Sequence, residues 1–318
     1  MRAGRAFVII LLVVARHSVA TLVALIVALP ATAESERLPV KVSLVLDVSR
    51  SVEREGIFDD VKQGARAFVA RFDAQTDRVG LIDYYTTAHE RTSLKGRFKR
   101  RMFRAIDALE IQSDTNVEEA LRTAKRQIDR TPDRPRVSKV IVLFNGGPST
   151  AFSARFEMFY RTDPFWYRGA VASYITGSSY RGLFRLSDGA KVVSFDARGR
   201  PVTVPNASTR GSPAPRALPG SLSVSGTNIR RVAAERSEAR ARWIRSKGYT
   251  IYVVGFLNRS SSNVGDIPDP SLWRRIANDD GIANPDQPIG NAVVVTDPAH
   301  ISDAFTRVAD AILRSPSR

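Results

Sequence analysis

From Leu38 to Asp47 the chain reads LPVKVSLVLD, an apolar run interrupted only by Lys41 and Ser43, which predicts a buried strand. REGIFDDVKQGARAFVARFDA (54–74) follows, with Val61, Ala65, Phe68 and Phe72 recurring at helical spacing. DRVGLIDYYTTA (77–88) predicts a second strand, and HERTSL (89–94) a return beside it as an antiparallel edge. Two further helices are expected in FKRRMFRAIDAL (98–109) and NVEEALRTAKRQIDR (116–130). SKVIVLF (138–144) then reads as a fourth strand, continuous in Val, Ile and Leu as a centrally buried parallel strand is.

The alternation lapses between about 149 and 228, a stretch rich in aromatic residues, Gly, Ser, Pro and Arg. A connection of that length inside a compact domain is uncommon, so it reads as an insertion. Its first half, containing DPFWYRGAVASYITGSSYRGLF, holds enough Phe, Trp and Tyr to fold onto something, whereas STRGSPAPRALPGS (208–221) reads as a mobile loop. The pattern resumes with a helix over 228–248, a strand in YTIYVVGF, a helix over 270–279, a strand in NAVVVT and a last helix over 297–315. These elements predict an α/β fold: a Rossmann-like, doubly wound, mostly parallel six-stranded sheet flanked by helices, with one long insertion after the fourth strand.

Composition changes this picture little except at the N-terminus. The 318 residues suffice for a full core, and the absence of cysteine excludes disulfides, thiolate metal sites and a cysteine nucleophile. Arg2 and Arg5 precede FVIILLVVA; Arg16 and His17 interrupt, and SVATLVALIVALP leads into Ala31-x-Ala33. A basic start, an apolar run and a small-residue site fit a signal peptide, 1–33, cleaved after Ala33. An uncleaved anchor is the alternative, disfavoured because Arg16 would sit mid-membrane. Either way the protein is expected to be exported, to periplasm, cell envelope or medium.

The formal charge is +16, and the chain stays strongly basic without Arg2, Arg5 and Arg16. No helix-turn-helix, zinc finger or aromatic RNA-binding pattern accompanies it, so anionic envelope surfaces or an acidic protein are expected partners rather than nucleic acid. The basic run KGRFKRRMFR (95–104) is a candidate docking patch, but Phe98, Met102 and, just beyond it, Ile106 recur at helical spacing, which favours an amphipathic helix with a solvated basic face. Neither His89 nor His300 lies near a Gly-x-Ser-x-Gly elbow, and Gly146-Gly147 is followed by no Lys-Ser/Thr. A metal-assisted hydrolase would need a general base that these residues do not offer.

Chemistry concentrates where predicted strands end. Asp47, Ser49 and Ser51 alternate at the carboxyl end of the first strand, the end at which doubly wound sheets collect ligands. A carboxylate with two hydroxyls suits a hard cation, Mg²⁺, Mn²⁺ or Ca²⁺. The same residue types also serve as turn and cap residues. Thr115 and Asn116 in SDTNVEEAL, and Asn145 and Gly146 in VIVLFNGGPS, bring further oxygen-bearing loops to the same end.

In order and spacing, Asp47-x-Ser49-x-Ser51, Thr115-Asn116 and VIVLFNGGP resemble the von Willebrand factor type A (vWA) domain with its metal-ion-dependent adhesion site. The resemblance covers 38–313 apart from the insertion. It implies a Rossmann-like domain whose divalent ion is held by the Asp-x-Ser-x-Ser loop, the threonine and a later aspartate, with an acidic residue of a protein partner completing the shell. Here Asn145 stands at the later aspartate's position. An amide carries no charge, so either the partner supplies it or the site is relaxed. Asn116, Gly146, Trp166 and Tyr167 are candidate partner contacts. The expectation is an exported, non-enzymatic binding module of the pilus or cell surface, with a metal-free scaffold as the alternative.

Overall fold

The protein is described by a computed structural model covering residues 37–133, 136–174, 179–196, 198–204, 211–258, 268–279 and 281–315. The chain divides into two units, Met1–Arg37 and Leu38–Arg318, and the account that follows concerns the second. The expected leader, 1–33, lies outside the described residues. Among the described residues no helix is long and apolar enough to cross a membrane.

The buried apolar runs pair as parallel strands need to. β1 (Val40–Asp47) lies between β2 (Arg78–Tyr84) and β4 (Ser138–Asn145), parallel to both, with Leu44 opposite Leu81 on one side and Val142 on the other. β10 (Thr250–Phe256) and β11 (Ala292–Val295) extend the sheet beyond β4, and β3 (Ala88–Lys95) closes the far edge antiparallel to β2. The order is β11-β10-β4-β1-β2-β3, a six-stranded and mostly parallel sheet.

Side-chain alternation then assigns the helices to layers. Val42, Leu44 and Leu46 face one layer, where α2 (Phe58–Ala70) and α7 (Ile301–Arg314) pack Phe68 and Phe305 against Phe144. Val45 and Ile82 face the other, covered by α4 (Val117–Asp129), the last turns of α5 (Gly226–Arg245) and α6 (Pro270–Ala277). Lys41 is tolerated inside β1 because its ammonium donates to Thr131 O at 2.5 Å and pairs with Asp133 at 2.6 Å. The helix expected over 54–74 is α2, starting later at Phe58; a short α1 (Arg50–Arg54) precedes it and stops before Gly56, whose φ of +68° turns the chain into α2.

The insertion expected after the fourth strand carries a sheet of its own. Its first half is a five-stranded antiparallel sheet, β5 (Ala151–Tyr160), β6 (Asp163–Ser173), β7 (Tyr180–Phe184), β8 (Lys191–Phe195) and β9 (Pro201–Val204), paired in chain order. Phe152, Ala154, Phe156 and Met158 alternate along β5 and fill a separate core with Val171, Leu183 and Val192; that period of two is the sequence signal for it. The amino-terminal half of α5 covers this core with Ile229, Val232 and Ala233 while its carboxyl-terminal half serves the main sheet, so one helix joins both sheets. The described part of the expected mobile loop is anchored: Leu218 is buried in the same core, and Tyr180 donates to Pro213 O at 2.9 Å.

Candidate functional site

β1 ends in a bend, not a helix cap. Ser49 occupies the N-cap position of α1 with no side-chain cap bond; its hydroxyl lies 2.6 Å from that of Ser51. Asp47 is fully buried, its Oδ1 accepting the Ser49 N–H at 2.9 Å and its Oδ2 the Gly146 N–H at 3.1 Å. Burial pushes its pKa up to about 6 from 3.8, against the downward pull of those hydrogen bonds. Among the described residues it makes no ion pair, so once ionised it is a buried carboxylate with no described countercharge.

Thr115 comes from the loop before α4. Its N–H donates to Thr150 Oγ1 at 2.9 Å, and its carbonyl accepts from the N–H of Thr150 at 3.0 Å and of Ala151 at 3.1 Å. These bonds hold the threonine against the start of the insertion sheet and leave its hydroxyl without a hydrogen bond among the described residues. Gly147 supplies the remaining space: a Cβ there would overlap Ser51 Oγ and come within 3.8 Å of Thr115 Oγ1. The Ser49, Ser51 and Thr115 hydroxyls therefore border a cradle that a side chain at 147 would fill, beside the Asp47 carboxylate. One carboxylate and three neutral hydroxyls suit a hard divalent cation and offer nothing to a soft one.

Asn145 reaches the same strand end but its amide is engaged on both sides. Its Nδ2 donates to Tyr84 Oη at 2.9 Å and its Oδ1 accepts from Trp273 Nε1 at 3.0 Å; the Tyr84 hydroxyl in turn donates to Phe144 O at 3.1 Å. A cavity of about 120 Å³ borders Asn145, Gly147, Ser149 and Trp273. Gly146 contributes its N–H to Asp47. Asn116 is buried and structural: its Oδ1 accepts the Glu119 N–H at 3.1 Å, capping α4, and its Nδ2 donates to Thr86 O at 2.9 Å and Ser153 Oγ at 3.0 Å. Trp166 and Tyr167 lie elsewhere. Tyr167 sits five and Trp166 six residue pairs along the β5–β6 hairpin from the Ala151–Ala172 pair that abuts Thr115, a rise of about 17 to 20 Å. Trp166 is 59 % exposed under the Arg155 guanidinium, while Tyr167 turns to the opposite face and meets Phe195 edge-on, ring centroids 5.0 Å apart.

Comparisons with known proteins bear on the fold. Residues 42–148 match the family model of the von Willebrand factor type A domain. The fold is a vWA fold. No curated protein matches the chain by sequence. Among solved structures, the vWF domain of the type V pili tip protein Mfa5 from Porphyromonas gingivalis superposes with a TM-score of 0.53 at 16 % identity, over 89 % of this chain and 98 % of that one. The PilB minor pilin from Streptococcus sanguinis gives 0.51 at 17 % identity, over 88 % of this chain and 64 % of its own. The pilus adhesin SpaC from Lactobacillus rhamnosus GG gives 0.52 at 13 % identity, over 87 % of this chain and 30 % of that one. The chain thus spans nearly all of the Mfa5 domain but under two thirds of the two longer proteins.

Several residues that shape the candidate site are not among those the sequence singles out. Gly147 makes the cradle, Thr150 and Ser153 bolt the insertion to Thr115 and Asn116, and Trp273 and Tyr84 hold Asn145. A Gly-Gly pair directly after a buried strand is a readable signal for close approach. The Trp273–Asn145 contact joins residues 128 apart and has none.

Proposed function

We propose that the chain is an exported adhesion-type module that binds a protein partner through a divalent cation, Mg²⁺ or its congeners Mn²⁺ and Ca²⁺, held by Asp47, Ser49, Ser51 and Thr115. The observation that carries this reading is Asp47, a buried carboxylate with no described countercharge, beside three hydroxyls and a cradle kept open by Gly147. When bound, the cation supplies a Lewis-acidic position for a partner's carboxylate. The protein's own residues do the rest. Backbone N–H groups of Ser49 and Gly146 orient the Asp47 carboxylate, Thr150 fixes Thr115, and Trp273 with Tyr84 keep the Asn145 amide turned into its own network. Asn145 adds no charge, so the partner's acid has a larger share of the neutralisation than it would with aspartate there.

An adhesive role is supported by the kind of proteins that share the fold, a pilus tip protein, a minor pilin and a pilus adhesin. Export is supported by the same likeness together with the leader pattern of residues 1–33. Contact with an anionic envelope surface has its own candidate: Arg91, Arg97, Arg100, Arg101 and Arg104 line one open groove of about 470 Å³. A hydrolytic reading finds no imidazole on the candidate hydroxyls, since among the described residues His89 Nε2 meets the Thr87 and Tyr85 hydroxyls, at 2.7 and 3.1 Å, and not those of Ser49, Ser51 or Thr115. The deciding experiment is thermal unfolding in Mg²⁺ or Mn²⁺ against a chelator, for the wild type and Asp47→Ala. A metal-dependent rise in Tm that the variant lacks supports the site; no shift in the wild type leaves the metal-free scaffold.

A further inference from the structure

The Asp47 loop borders a second cavity, of about 190 Å³, where the vWA frame meets the insertion sheet. Arg50, Gln112 and Ser113 line it from the frame, and Arg181, Asp188 and Lys191 from β7 and the β7–β8 hairpin. Its position is set by chain connectivity, since Arg50 lies between Ser49 and Ser51, and Ser113 two residues before Thr115. Arg50 is exposed and has no hydrogen bond or ion pair among the described residues.

The charge balance of this cavity is one-sided. Arg181 is paired with Asp114, the residue preceding Thr115, and that pair joins the insertion to the candidate metal loop. Lys191 is only 5 % exposed, and burial together with the neighbouring Arg181 cation lowers its pKa. The one carboxylate in the lining, Asp188, is committed to the Arg185 guanidinium and to the Ala190 N–H, 3.1 Å away. Arg50, Arg181 and Lys191 thus line one partly enclosed space, in which Asp188 is held by Arg185 and Asp114 lies in the field of both Arg181 and Arg50. Cations gathered in one space repel one another, and an anion placed among them relieves that repulsion. The Gln112 and Ser113 side chains add neutral polar groups at the wall.

We propose that this cavity receives a second carboxylate of the ligand, so that the partner is a protein segment carrying two acidic side chains, one for the cation site and one for the Arg50–Arg181–Lys191 cavity. The proposal rests on the reading of the Asp47 site given above. The arginine within the Asp-Val-Ser-Arg-Ser loop and the insertion following Asn145 then act together as a selector for acidic ligands.

Immobilised poly-L-glutamate is the probe, with binding measured by biolayer interferometry in Mg²⁺ and in chelator. Arg50 is exposed and Arg50→Glu is expected to fold, which a melting curve checks. Arg307→Glu, on the exposed face of α7, carries the same charge change away from the cavity. Arg50→Glu is expected to weaken binding by about tenfold or more in both buffers, Arg50→Lys to retain most of it, and Arg307→Glu to change it by less than about twofold. Asp47→Ala should weaken binding only in Mg²⁺. The proposal is overturned if the wild type does not bind the polymer, if Arg50→Glu binds as the wild type does, or if Arg307→Glu loses as much as Arg50→Glu. Loss in Arg50→Glu with no effect of Mg²⁺ or of Asp47→Ala sustains the cavity and sinks the cation site instead.

Discussion

Replacing Asp47 by asparagine tests whether the buried carboxylate is the strained centre of this site. The carboxyl shifts from 3.8 in the unfolded chain to about 6 in the native state because burial removes its hydration. Between those values the native state keeps a proton that the unfolded chain has released, so stability is lost as pH rises. That rise in pKa corresponds to about 3 kcal/mol, present below pH ~4 and gone above pH ~7. The substituted amide does not titrate; one of its hydrogens faces the Ser49 or Gly146 N–H, a fixed cost that does not vary with pH. Urea unfolding of both proteins in chelator, from pH ~4 to pH ~7.5, subtracts every other titrating group. The wild type minus Asp47→Asn difference should move by about 2.5 kcal/mol against the wild type over that range as pH rises. Free Mg²⁺ at about 100 times its dissociation constant would return about 2.7 kcal/mol to the wild type alone. A difference flat with pH in chelator refutes the burial argument, whereas a sloping difference that Mg²⁺ leaves untouched refutes the cation.

Gly147→Ala places a methyl group on Ser51 Oγ, so the metal-dependent rise in Tm should fall by more than half while Tm in chelator drops by only a few degrees. Asn145→Asp keeps Trp273 as a donor, removes the hydrogen that Tyr84 Oη accepts so that the hydroxyl has to turn from Phe144 O, and adds a second carboxylate; calorimetric Mg²⁺ or Mn²⁺ affinity should rise about tenfold or more, and metal-free stability should fall through repulsion with Asp47. Phe305→Ala removes a ring that packs between Phe68 and Phe144, and should cost about 3–5 kcal/mol in chemical denaturation without changing the metal response.

Residue pattern alone settles the frame and the order of its parts. β1 and β4 are legible because a strand buried on both faces has to be apolar throughout, and Leu44, Val45, Ile141 and Val142 leave no other reading. Asp47, Ser49, Ser51 and Thr115 are legible because hydroxyls and a carboxylate at strand ends are out of place in a core. What those residues can do is settled by folding. Whether Ser49 caps α1 or faces a cradle depends on how closely Gly147 approaches, and whether the Asn145 oxygen is open depends on Trp273, which reaches it from α6. Trp166 and Asn116 show the same division from the other side, since residue type marks both as contacts. Hairpin register carries Trp166 about 20 Å along the β5–β6 hairpin from the pair abutting Thr115, and helix capping buries Asn116. Residue chemistry is written locally, but burial, register and hydrogen-bond partners arise only when distant segments meet, and those set both the pKa of Asp47 and the charge around Arg50.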